Sequence, residues 1–194
     1  MNPFALIQKY YDPGSEVYRI LAAHSVLVAA KALALAREFQ ARYPENNLDL
    51  EFIEEAALLH DIGIFYCDAP AIFCHGNEPY IKHTILGREI LEKEGLPRHA
   101  LVCERHTGMG LTAEEVVQQK LPLPVRDYLP ISLEEKIICM ADRFFIKIPQ
   151  QLYQELSVAQ VRQKLAKYGP GVLQRWEEMC RLLLPSAGSL AVPR

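Results

Sequence analysis

The stretch Leu21 to Ala36 reads LAAHSVLVAAKALALA, apolar almost all the way round a helix and interrupted by one histidine and one lysine. In a water-soluble chain such a helix belongs in the middle of a bundle, because no single stripe can hide so much apolar surface. Asp12-Pro13-Gly14 is a strong turn signal, and Ser15 stands where an N-cap is needed, so the helix is expected to run from there through Tyr43 to Pro44. His24 falls inside the apolar run.

The rest of the chain supplies partners for that helix. Pro3 to Tyr11 reads as a short first helix. Asp49 to Asp61 has helical spacing, with Phe52, Ala56 and Leu59 on one side, and stops at Gly63. That places His60 and Asp61 in a last helical turn. Tyr80 to Lys93 is amphipathic and closes at Gly95, with His83 near its start. Pro97 opens a helix that carries His106 at its end, before Thr107-Gly108-Met109-Gly110. Ala113 to Lys120 is a further short helix, and LPLPVRDYLP an irregular connection. Ser132 with Glu135 forms a capping-box pattern at the head of SLEEKIICMADRFF, which puts Asp142 well inside a helix. Pro149 to Leu184 reads as two more helices split at Tyr168-Gly169-Pro170-Gly171. No alternating strand pattern or hairpin signal appears. The expected fold is all-α, one domain over residues 1–194, with helices 149–184 packed on the bundle and the last ten residues loose.

A formal charge of −3, with Asp and Glu outnumbering Lys and Arg, leaves no basic stripe for polymeric nucleic acid or an anionic membrane. A small anionic ligand needs only a few local cations and stays open. The N-terminus lacks signal-peptide features, and no run of about 18 apolar residues suggests a membrane span, so a cytoplasmic protein is expected. The five cysteines are odd in number and without a CxxC pair, which favours buried thiols over disulfides or a zinc ribbon.

Chemistry concentrates in the histidines. Taken alone, His24 would be an ordinary core histidine, and Asp142 beside Arg143 half of an ion pair. Several ionisable groups in separate apolar helices are costly to bury without a cation. Imidazole nitrogen together with carboxylate oxygen suits Fe, Mn, Zn or Co. Neighbouring residues on a helix point about 100° apart, so His60 and Asp61 can serve one centre only near a helix end; Gly63 marks such an end.

His24, then ALLHDIG at positions 57 to 63, then Asp142 in MADRFF resembles the HD superfamily of metal-dependent phosphohydrolases, in its HDIG-containing branch. The resemblance spans residues 15 to 148. It implies that His24, His60, Asp61 and Asp142 hold a first metal ion. It also implies that Asp61 is shared with a second ion held by His83 and His106, 22 and 45 residues further on. Two divalent ions are implied, iron first, with Mn, Co, Zn or Mg as alternatives. IKHTILG, ERHTGMG and LEEKIICMAD are also similar to the HD-type diadenosine tetraphosphate hydrolases of bacteria, from which LPLPVRDYLP and the long tail depart.

The activity expected is hydrolysis of a phosphoester or phosphoanhydride in a small, nucleotide-like substrate. Asp61, Arg143 and Lys147 would serve catalysis, with Lys82, Arg88 and Arg105 as further nearby cations. For His75 two readings stand, a place at the cavity mouth as an acid or substrate contact or an exposed loop position without a role; His99 is read as surface. Two rivals stand beside this: a di-iron oxygenase of the same superfamily, and a non-catalytic nucleotide-binding module.

Overall fold

Ser15 accepts a hydrogen bond from the Tyr18 amide and starts helix α2, Glu16–Arg42, in the computed structural model, which describes residues 1–185. Before it lies α1, Pro3–Ile7, capped by Asn2. There follow α3 (Leu50–Leu59), α4 (His83–Lys93), α5 (Pro97–Arg105), α6 (Ala113–Gln118), α7 (Leu133–Asp142), α8 (Val158–Leu165) and α9 (Pro170–Leu183). The fold is all-α. A two-residue strand pair, β1 (Asp68–Ala69) with β2 (Cys74–His75), was not foreseen, being too short to show alternation.

Helix α2 packs on α3 and α7 and touches α9. Its buried residues, among them Leu21, His24, Val28, Leu35 and Phe39, recur every three or four positions. It therefore hides one broad face instead of its whole circumference. By length and a mean hydropathy of 1.6 it is also apolar enough to cross a membrane, contrary to expectation, but half of that window is buried in this bundle.

Two large apolar clusters fill the interior, beside a small third one of Leu111, Val116, Leu123 and Tyr128. The larger joins Val28 and Ala32 of α2 to Phe52 of α3, Ile137 of α7 and Trp176 of α9. The smaller joins Ile20 and Leu21 to Leu59, Ile62, Leu91 and Cys103. His24 lies between Leu21 and Val28, and His60 between Leu58 and Ile62, so the candidate site falls where the clusters meet.

The C-terminal helices complete the larger cluster. Val161, Leu165, Val172, Trp176, Met179 and Leu183 all belong to it, and the Phe144 and Trp176 rings lie 5.8 Å apart. Ser157 and Gln160 form a capping box at the head of α8. The expectation of a loose end falls, from residue 186 onward, outside the described residues.

Several helix ends differ from the sequence reading: α3 stops at Leu59, so that His60 is its cap and Asp61 lies beyond it, and α4 starts at His83 after a 3₁₀ turn over Tyr80–Lys82. Ser132 caps α7 as expected, but Glu135 reaches back to the Ile131 amide, 2.9 Å, instead of closing a box on Ser132. Helix α7 also stops at Asp142, where Arg143, Phe144 and Phe145 turn on short-range backbone bonds. Asp142 is thus the last residue of a helix, not an interior one.

Candidate metal centre

Three of the four histidines that meet here are held by one local device. His60 caps α3 at its C-terminal end, His83 is the first residue of α4, and His106 caps α5. In each the Nδ1–H donates to the carbonyl three residues earlier: Ala57 at 2.6 Å, Tyr80 at 2.5 Å and Cys103 at 2.8 Å. At the ends of α3 and α5 such carbonyls lack a helical partner, whereas the Tyr80 carbonyl also accepts the His83 amide. Fixing the proton on Nδ1 leaves the Nε2 lone pair aimed inward, as a metal ligand requires. His24 alone comes from mid-helix.

Asp61 receives all four. Its Oδ2 lies 3.1 Å from His60 Nε2 and 3.5 Å from His24 Nε2, while its Oδ1 lies 3.3 Å from His83 Nε2 and 3.4 Å from His106 Nε2. Asp142 Oδ1 closes the first set, 3.0 Å from His24 Nε2 and 3.5 Å from His60 Nε2. Each set offers donor atoms within 4.8 Å of one another, and the two sets share Asp61.

All of these groups are buried, with 0–2% exposure. Yet His60 Nε2, both Asp61 oxygens and Asp142 Oδ2 have no hydrogen-bond partner. Atoms so close without hydrogen-bond alignment suit ligands converging on shared cations, and buried carboxylates need such charge. The residues fit divalent metal, and two groups of them could hold an ion: His24, His60, Asp61 and Asp142, and Asp61, His83 and His106.

Burial pushes His24, His83 and His106 toward the neutral, ligating form. His83 is lowered to about 3 and His106 to about 4. His24 falls well below its ordinary value through burial and the nearby Lys147 ammonium. Burial would raise Asp61, but His60 and Lys147 outweigh it and hold the carboxyl well below the usual range. Lys147 Nζ sits 2.6 Å from Asp61 Oδ2, as an ion pair not directed along a hydrogen bond. Burial lowers that ammonium's pKa, and Asp61 more than restores it.

Close backbone approach brings α4 to the cluster. A Cβ on Gly63 would meet the His83 carbonyl at 2.3 Å, and one on Gly87 would meet Cys103 Sγ at 2.3 Å. The Cys103 thiol donates to the His60 carbonyl, 2.9 Å, and the Cys139 thiol to the His106 carbonyl, 3.3 Å. These supports were missed in the sequence, where nothing distinguishes a thiol facing a carbonyl from one facing Leu. Four cysteines are buried and Cys180 is partly so, all as free thiols.

A cavity of about 580 Å³ opens onto the cluster, lined by His83, His106 and Asp142 and by Tyr80, Thr107, Arg143 and Lys147. Of the five cations considered near the ligands, only Arg143 and Lys147 reach it. Lys82 pairs with Glu78, Arg88 with Glu104 and Glu92, and Arg105 with Glu135. Arg143 contacts Asp142 and keeps a buried Nε without partner, as does Thr107 Oγ1.

His75 does not come to the site. Pairing of Asp68 with His75 and of Ala69 with Cys74 buries Cys74 and turns His75 to solvent, outside the cavity lining. His99, expected on the surface, is half-buried against Phe52 and 3.3 Å from Glu55, away from the cluster.

Fold and site together define a helical protein built around a buried histidine–aspartate cluster for divalent metal. The chain belongs to the HD domain family, which matches residues 21–145. An uncharacterized protein of Methanocaldococcus jannaschii is 40% identical over 120 residues, 61% of this chain and 62% of that one. A tRNA (cytidine(56)-2'-O)-methyltransferase of Picrophilus torridus is 43% identical over 95 residues, 48% of this chain and 24% of that one. One of the same name from Thermoplasma volcanium is 31% identical over 165 residues, 81% of this chain and 42% of that one. The chain thus spans less than two thirds of the length of each of these relatives. No solved structure matches.

Proposed function

We propose that the protein is a metal-dependent phosphohydrolase acting on a small, nucleotide-like phosphoester or phosphoanhydride. The observation that carries this is Asp61, whose two buried oxygens divide between two imidazole-containing sets at the wall of a cation-lined cavity. Ions bound there, for which we favour iron, with Mn, Co, Zn or Mg as alternatives, would lower the pKa of a water and polarise a phosphoryl oxygen.

The chain's own residues supply the rest. Arg143 and Lys147 bring positive charge to the cavity end where the phosphoryl group would lie, answering its non-bridging oxygens. Apolar walls from Ile72, Leu111 and Leu121 exclude water and strengthen these interactions. A volume of about 580 Å³ suits a single small molecule and not a polymer. The nucleic-acid chemistry named for two relatives supports a nucleotide body for the substrate.

The test is phosphate release from mononucleotides and diadenosine tetraphosphate by protein loaded with each metal, with oxygen strictly excluded. Turnover is expected. None with any metal would overturn the reading, and activity that then appears with iron and oxygen would make the protein an oxygenase. Nucleotide binding without any turnover would make it a binding module.

A further inference from the structure

The cavity carries four cationic side chains against one carboxylate. Arg143 and Lys147 lie at the metal end, in contact with Asp142 and Asp61. Asp142 is the sole acid in the lining and belongs to the ligand cluster. The other two cations, Lys164 and Lys167, come from α8 and the 3₁₀ turn after it, Ala166–Tyr168, beyond the stretch that the HD domain family matches.

These two lysines are placed as a pair. Three residues apart, they share a face. Val161 and Leu165 on either side of Lys164 are buried in the core, which anchors the segment that presents it. The Lys167 ammonium stands 4.8 Å from the centre of the Tyr168 ring, which also lines the cavity. Neither lysine forms an ion pair or hydrogen bond among the described residues, whereas Lys82, Arg88 and Arg105 are all spent on glutamates. Two unspent cations on an anchored wall, facing a cavity whose other cations are held at the cluster, leave a second place for negative charge.

We infer that Lys164 and Lys167 bind a second anionic group of the substrate, distinct from the phosphoryl group at the cluster, so that the preferred ligand is a compact organic bisphosphate. This rests on the phosphohydrolase reading for the first group but is a statement about binding. The wall between residues 158 and 168 would then set specificity, while the cluster, with Arg143 and Lys147 beside it, supplies the chemistry. Leu111, Leu121, Leu165 and Val172 in the lining provide an apolar surface for the organic body, and Tyr168 a ring for it to stack on.

The experiment compares adenosine 3′,5′-bisphosphate with adenosine 5′-monophosphate, by calorimetric binding to metal-loaded protein, in the parent chain, in K164Q/K167Q and in K164R/K167R. Both lysines are exposed, so the variants should fold. The parent should prefer the bisphosphate, and K164Q/K167Q should lose about tenfold or more of that preference, the loss of about one charge-assisted contact. K164R/K167R should keep it. No preference in the parent, or a preference that survives K164Q/K167Q, overturns the inference. Metal content is measured in the same samples, and its loss in K164Q/K167Q would assign the lysines to the cluster's integrity and overturn it too. A preference lost in K164Q/K167Q without turnover of any phosphate would leave the second anion site standing while the hydrolase reading fell. Turnover with no preference would do the reverse.

Discussion

Asp61 is the residue on which both metal sets depend, since each needs one of its oxygens. Asp61→Ala should therefore leave protein that retains neither ion and no activity, measured by elemental analysis after gel filtration. His83→Ala removes a ligand from one set only and should about halve the metal content; full metal content in either variant would refute the assignment. Lys147→Gln tests the cation beside Asp61. If that ammonium meets the phosphoryl oxygens, kcat should fall by about 10²–10³, while a change confined to KM would place it in ground-state binding. The resemblance to the HD superfamily named these six residues, and the structure brings them together, most of them at helix ends and not inside apolar helices. Arg88 and Arg105 misled, since the glutamates that claim them, Glu104 and Glu135, are buried partners that no local pattern announces. His75 misled for another reason: one residue of strand register decides which side it faces.

At the scale of elements, the centre is assembled from ends. His60, His106 and Asp142 close α3, α5 and α7, and His83 opens α4. Starts were legible where a cap was read, and Ser15 and Ser132 accept the amide bonds expected of them; Asp49 and Ser157 do the same without having been marked. The stop of α7 was not, because nothing in MADRFF breaks a helix. Gly63 shows how tightly the ends must approach. Gly63→Ala should push α4 away from the cluster, costing about 1–3 kcal/mol of stability and weakening the His83 set first. Denaturant unfolding and metal content, read together, check this, and a variant unchanged in both would show that α4 moves freely. Arg175 of α9 is a second joint: it donates to the Met109 and Gly110 carbonyls, each at 3.1 Å, and pairs with Glu115 at 2.8 Å. It ties the loop after His106 to the C-terminal helix, and no motif marked it in advance.

For the whole molecule, a cluster of buried imidazoles and carboxylates should make metal supply and stability one question. Saturating metal at a hundred times its Kd should add about 2.7 kcal/mol, or roughly 5–10 °C in Tm, compared with stripped protein. Acid should act in a fixed direction on the stripped form. His83 and His106 have folded values of about 3 and 4, below the 6.5 of a free imidazole. The unfolded chain therefore binds more protons in that interval, and stability falls as pH drops from 6.5 toward 4 and 3. A urea midpoint that stayed level between neutral pH and about pH 5 would contradict the buried, neutral state of these rings.

The partnership of His24 with Asp142 reaches further. These two residues lie 118 positions apart and within 3.0 Å of each other. During synthesis the early helix bearing His24 must wait, its imidazole without a carboxylate, until α7 has left the ribosome. A nascent chain ending before residue 142 would have every histidine of the cluster and still lack the acid that completes the first set. Metal capture should thus be a late event that marks completion of the bundle, and chains stalled earlier should pass through a metal-rich cell extract without retaining an ion in that set.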